Sequence, residues 1–331
     1  MKFLILTILT VILFLLTLFV GSVHIPAQHV LDILLGADSY GAEGFIVIGS
    51  RLPMAVTAVF AGAGLAVSGL LLQTAFRNPL AGPSILGINS GASLGVAVVM
   101  LFLGGSIGAG TFSIGGYAAV IFGAFAGSLL VMALLIMLSS VLKNDLMLLI
   151  TGIMIGYLVS AVIMLLNYVS TAEGVQNYVM WGMSTFNGVS LQQLPLFCGI
   201  TALGIFLALL LTKSLDLILL GDSYARNLGV NLQRVRNTLL LSTGILTAVI
   251  TAYCGPVSFI GLVVPHIARM VFRTDTHRKL MPATMLCGAF VALACALMCV
   301  LPSNSVIPVN AVTPVIGAPI VIYVLLSRRK S

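Results

Sequence analysis

Residues 78–142, NPLAGPSILGINSGASLGVAVVMLFLGGSIGAGTFSIGGYAAVIFGAFAGSLLVMALLIMLSSVL, contain no aspartate, glutamate, lysine or arginine. A soluble chain carries charge on about 25% of its residues, so a run of this length has too little polarity to sit in water. The same pattern extends outward in both directions, with uncharged runs at 52–76, 146–172, 174–212, 237–268 and 280–327. Over the 331 residues, 60% are hydrophobic and 7% charged, and the mean hydropathy is +1.19. Lipid offers backbone groups no hydrogen-bond partner, so only helices or closed barrels cross it. Barrels read as short alternating segments, which these uniform runs are not. The reading is an all-α polytopic membrane protein, one domain over residues 1–331 with about ten transmembrane helices at roughly 20 residues each.

Glycine, proline and charge clusters place spans near 3–20, 53–73, 85–103, 114–140, 146–168, 192–212, 237–254, 258–272, 280–300 and 312–327. The first could be a signal peptide, but it is longer than the usual apolar region and lacks a clear cleavage site, so it reads as a retained helix. Residues 21–50 read as a loop with a short interfacial helix. A net charge of +7 raises nucleic acid or anionic lipid as partners, but its placement reads as a topology signal. With both termini in the cytoplasm, Lys2, Arg77, Lys143, Lys213, Arg226, Arg234, Arg236, Arg269, Arg273, Arg278, Lys279, Arg328, Arg329 and Lys330 lie inside, leaving Arg51 alone outside. That division follows the positive-inside rule. It implies the inner membrane and a lipid bilayer as the surroundings, with no nucleic acid partner.

The five cysteines (Cys198, Cys254, Cys287, Cys295 and Cys299) fall in or beside apolar runs without paired spacing. They read as small buried hydrophobes rather than a disulfide frame or metal site. The dense small residues, such as Ala61-Gly62-Ala63-Gly64, permit close helix packing.

Three segments interrupt the helices with definite chemistry. Arg77-Asn78-Pro79-Leu80-Ala81-Gly82-Pro83 is a fixed non-helical turn, because each proline disfavours helix at the residue before it. Lys213 to Arg236 is the longest internal polar segment, a cytoplasmic loop holding a short helix that Asp222 caps and Gly229 ends. Exposed Arg226 with Tyr224, Leu228 and Val230 would give it the form of a docking element; on spacing alone a solvated connecting loop stands beside that reading. His266, beside Pro265, reads as a hydrogen-bonded structural residue. No lysine follows a glycine, so the P-loop of an ATPase does not occur. No ionisable residue lies deep in a span, as a proton- or ion-coupled carrier needs, and no filter-like motif suggests a channel.

Together, Arg51-Leu52-Pro53, Ser68-Gly69, Gln73, the turn from Arg77 to Pro83, Leu86-Gly87-Ile88 and Gly91-Ala92 resemble the opening half of FecCD-type permeases. Ala225, Leu228-Gly229-Val230, Phe259 to Ile267, Arg269, Asp275, His277-Arg278 and Gly317-Ala318-Pro319 continue the resemblance in order. That family imports iron siderophores, haem and vitamin B12. The resemblance implies the type II ABC importer permease fold and a subunit that is not itself an enzyme. It implies a homodimer, or a pair with a paralogous permease, and two ATP-binding subunits that use ATP and Mg. An external substrate-binding protein completes the assembly, and the chain itself would bind no cofactor or metal and carry no catalytic residue.

By the same resemblance, Gly221, Asp222, Ala225, Arg226, Leu228 and Gly229 couple to the ATPase, and Arg51 lies at the outer rim to dock the binding protein. The translocation path is expected at Gln73, Asn167, Tyr168, Tyr178, Met180, Trp181 and Met183, an aromatic belt being the other reading of Tyr178 and Trp181. Two positions depart from the family's pattern. Met54 stands where relatives often have another arginine, and Leu297 to Asn310 carries no charge. The implied cargo is an iron complex, ferric siderophore or haem, with cobalamin as the alternative.

Overall fold

The computed structural model describes residues 1–36, 41–84, 86–104, 106–109, 112–142, 145–301 and 306–328. Lys143, Arg329 and Lys330, placed above on the cytoplasmic side, and Asn304 in the uncharged 297–310 segment lie outside those residues.

The helices follow in order as α1 (Lys2–Phe19), α2 (Ala27–Leu34), α3 (Gly41–Gly44), α4 (Leu52–Ala75), α5 (Ile88–Ala97), α6 (Gly116–Val141), α7 (Asp145–Val169) and α8 (Ala172–Gly182). They continue as α9 (Leu194–Leu210), α10 (Thr212–Leu219), α11 (Asp222–Asn227), α12 (Leu232–Cys254), α13 (Ile260–Phe272), α14 (His277–Val300) and α15 (Val309–Arg328). Wider π-helical turns lead into α4 at Phe45–Arg51 and extend α5 at Val98–Phe102.

Among the described residues, six helical segments suffice by length and composition to cross a membrane, and a seventh if α9 and α10, bent by 46°, form one span. Three shorter apolar helices, 88–102, 260–272 and 309–323, complete the set. At about 1.5 Å per residue each is shorter than a roughly 30 Å hydrocarbon core, so length does not by itself make them three of the expected ten or so crossings. The chain is a multi-pass membrane protein.

α4 is the axis of one half. Pro53 starts it, where a missing N–H costs no hydrogen bond, and nearly every residue from Ala61 to Thr74 is buried. Four helices, α9, α12, α13 and α14, surround it. The contacts are backbone to backbone: Gly62 faces Gly288 of α14, and Gly69 faces Gly261 of α13. In the other half α5 meets α6 through Gly91 with Gly127 and Gly95 with Gly123, and α7 covers α5. α12 touches both halves and joins them. Without a hydrophobic drive between helices in lipid, small-residue contact is what brings them this close.

Among the described residues the fold is all-α apart from one short antiparallel ladder, β1 (Ser106–Ala109) with β2 (Phe112–Gly115), Ser106 opposite Gly115 and Ala109 opposite Phe112. Three expectations need correction. The stretch between the expected spans 146–168 and 192–212, left there as a connection, is not a plain loop but holds α8, capped by the Thr171 hydroxyl, which accepts from the Gly174 N–H at 3.2 Å. The polar segment 213–236 is mostly helical, since α10 and α11 fill it and α12 begins inside it at Leu232. Asp222 does not cap α11. Gly221, with φ of +118° that a side chain would strain, precedes the helix, and the Asp222 carboxylate pairs with Arg77 instead.

Candidate functional site

The polar chemistry collects at two poles of the helix bundle. One contains Arg77, α10, α11 and the α13–α14 connection. Here the segment expected to couple to an ATPase presents a surface: Ala225 is fully buried and anchors α11, whereas Tyr224, Arg226 and Leu228 are exposed beside exposed Leu219 and Leu220. Gly229 ends the segment with φ of +83° as expected, its N–H donating to Arg226 O at 2.9 Å.

Behind that surface the segment is tied to the transmembrane helices. The Arg77 guanidinium pairs with Asp222 and donates to Ile218 O at 3.2 Å. The Asp216 carboxylate accepts two hydrogen bonds from the first residue of α14, from the His277 backbone N–H and from Nδ1, both at 2.7 Å. The other ring nitrogen, Nε2, is 2.8 Å from the Thr74 hydroxyl on α4. A carboxylate only accepts, so Nδ1 carries hydrogen, and in the neutral ring Nε2 accepts from Thr74.

Gln73 joins the same network. Its amide donates to Leu262 O at 2.9 Å, and its Oε1 accepts from Arg269 at 2.7 Å, with Asp275 3.9 Å from Arg269 on the outer side. His266 Nε2 donates to Pro79 O at 2.8 Å, and Asn78 Oδ1 accepts from Leu80 N–H at 2.9 Å. These bonds fix the proline turn, the structural role expected of His266. Gln73, Thr74, Arg77, Arg269, Asp275 and His277 border a cavity of about 320 Å³.

At the opposite pole a larger cavity, about 550 Å³, lies among α6, α8, the π-helical turn after α5 and the end of α12. Of the residues expected on the path, it brings together Met180 and Trp181, with Tyr117, Glu173, Asn177 and Tyr253. Tyr117 donates to Tyr253 O at 2.8 Å, closing one wall. Tyr178 stacks on Trp181 with centroids 6.2 Å apart; burial pushes its phenol pKa up, opposed by a hydrogen bond with Ser93.

The others lie elsewhere. Gln73 is at the far pole, and Tyr168, 89% exposed, faces out of the bundle. Asn167 donates to Ile163 O on its own helix at 3.0 Å. Met183 begins the turn after α8, where its carbonyl accepts from Asn310 N–H. Asn310, which no sequence feature singled out, holds this pole: its amide nitrogen reaches Gly182 O, Ser184 Oγ and Pro256 O at 2.9–3.0 Å, and its oxygen accepts from Ser258 N–H at 3.1 Å.

Arg51 does not present itself for docking. It is 4% exposed, and its guanidinium donates to Leu18 O and Phe19 O at 2.9 Å and to Val23 O at 2.5 Å. The Leu18 and Phe19 carbonyls end α1, where orphan acceptors and the negative end of the helix dipole favour a cation, and Val23 lies in the segment that follows. An arginine read as an outward-facing contact is therefore an internal cap between α1 and α4. Among the described residues no His, Cys, Asp and Glu group could hold a metal ion.

A family model described as the FecCD transport family matches residues 9–327. The vitamin B12 import system permease protein BtuC of Klebsiella pneumoniae is 34% identical over 98% of this chain and 93% of its own length. The hemin transport system permease protein HmuU of Yersinia pestis is 34% identical over 90% of this chain and 88% of its own. A solved inward-facing structure of a metal-chelate type ABC transporter superposes with a TM-score of 0.84 at 30% identity, covering 98% of this chain and 97% of that one.

Proposed function

The chain belongs to the FecCD transport family, and on that premise we propose that it carries a metal-centred chelate, an iron complex such as haem or a ferric siderophore, across the inner membrane. It is an ABC importer permease, and such subunits are not themselves enzymes. The observation that carries the cargo reading is the near-full-length identity to permeases named for hemin and for vitamin B12. Both cargoes are large macrocycles around a metal. Cobalamin stands beside haem as a second reading, because the identity is the same, 34%, to both relatives.

The test is uptake of radiolabelled haem, ferric siderophore and cobalamin into proteoliposomes holding this chain with its ATPase and binding protein. ATP-dependent uptake of one of them is expected. Uptake driven by an ion gradient without ATP would move the chain to the secondary carriers.

In this reading two copies, or this chain and a paralogous permease, enclose the path. Two ATP-binding subunits sit below, a binding protein delivers cargo from outside, and both termini are cytoplasmic. The orientation draws on the clustering of Lys2, Arg77, Arg236, Arg269 and Arg273 at one pole, with Arg51 at the other, by the positive-inside rule. The cavity at Met180 and Trp181 is on the cargo's entry side, where thioether and aromatic groups offer a soft lining. The α11 surface receives the ATPase. Its exposed charge predicts that Arg226→Glu lowers cargo-stimulated ATP hydrolysis about fivefold or more, measured as phosphate release from the assembled complex. Unchanged stimulation would remove α11 from the interface.

A further inference from the structure

We propose that Thr74, His277 and Asp216 form a positioning relay that makes the coupling segment move as one body with α4 and α14, so that ATPase motion reaches the path. The inference rests on the importer reading above and names the residues that transmit its stroke.

α11 is six residues long, with one fully buried side chain, Ala225. Hydrophobic packing of so small an element cannot by itself transmit a directed force. The hydrogen bonds behind it are better placed. Asp216, on α10, accepts from both the backbone N–H and the ring of His277, so α10 caps the start of α14 in place of a residue of α14's own, whose Thr276 makes no cap bond. A carboxylate at a helix N-terminus is held by its orphan N–H groups and by the dipole.

The ring of His277, 1% exposed, then reaches Thr74, 2% exposed, in the last turn of α4. One imidazole therefore joins three helices. Water competes poorly at the buried Thr74–His277 bond, which is therefore stronger and costlier to leave unmade than at a surface, while Asp216, with 31% of its side chain exposed, is the wetter end. Arg77 ties the same body a second time, through Asp222 and Ile218 O. Beyond Thr74 the motion has a stiff carrier, because α4 lies against α14 and α13 at backbone contact, and such interfaces shift between discrete arrangements rather than deform continuously.

The relay is tested by cargo moved per ATP hydrolysed in proteoliposomes with the complete complex, using whichever of haem, ferric siderophore or cobalamin the wild type takes up. Thr74→Val keeps the side-chain outline and removes the hydroxyl; Thr74→Ser keeps the hydroxyl. Thr74→Val and Asp216→Asn are each expected to lower the ratio about fivefold or more. Thr74→Ser should restore it, and the double variant should be no worse than the singles, as for members of one chain.

Full coupling in Thr74→Val overturns the relay, as does equal loss in Thr74→Ser. A fall in uptake that only follows the amount of folded complex, with the ratio unchanged, overturns it too. Absence of ATP-driven uptake in the wild type would instead overturn the importer reading, and the relay with it.

Discussion

Arg51→Glu is expected to abolish the folded permease rather than its recognition of a partner. Three hydrogen bonds from a charged donor are lost, each worth about 1.5–3 kcal/mol. The new carboxylate would face the carbonyls that end α1, where the dipole is already negative. Little water reaches the site to compensate, since Arg51 is 4% exposed. Arg51→Lys should fall between, because a compact ammonium cannot span three carbonyls as a planar fork does. The measurement is yield and Tm of the detergent-solubilised chain. A well-folded Arg51→Glu that fails only to capture the binding protein would restore the docking role and refute the capping one.

Gly69→Ala should be as severe from a single methyl. A Cβ at Gly69 would overlap the carbonyl of Gly261, which is backbone and cannot rotate away. α4 and α13 would have to separate, breaking the bonds from Gln73 to Leu262 O and from His266 to Pro79 O along the same seam. Ordinary overpacking costs about 1–3 kcal/mol, and this contact lacks the side-chain adjustment that keeps it that low. Gly199→Ala is the control: nothing lies within 4 Å of its Cβ, and alanine favours helix by about 1 kcal/mol. Size-exclusion profiles of the two variants decide the matter; a Gly69→Ala chain as monodisperse and heat-resistant as Gly199→Ala would show that the helices can part without harm.

Helix positions were legible because scarce charges, together with glycine and proline clusters, mark the ends of the spans: 53–73 anticipates Leu52–Ala75 and 114–140 anticipates Gly116–Val141. What carries no such contrast was misread. α8 holds Glu173, Gln176 and Asn177 in eleven residues, enough polarity to resemble a loop. The short ladder went unread, in glycine-rich sequence without alternating side chains. Arg51 was misplaced because its partners are backbone carbonyls, which leave no mark on a sequence. Asp216 and His277 are 61 positions apart, and Thr74 is one hydroxyl in an apolar run; only the fold brings them together. The α11 surface was the better legible part, since exposed Tyr224, Arg226 and Leu228 around buried Ala225 follow from helical spacing.

The burial of α4 also sets an order of events during synthesis. Gly62 and Gly69 are made early, yet the backbones they meet belong to Gly288 and Gly261, near the other end of the chain. At about 5–20 residues per second, α4 waits tens of seconds in the bilayer with its small-residue face covered by lipid or by another helix. A ribosome that stalls before α14 leaves that face open, and membrane chaperones or proteases that read uncovered glycine seams would find the unfinished permease by it.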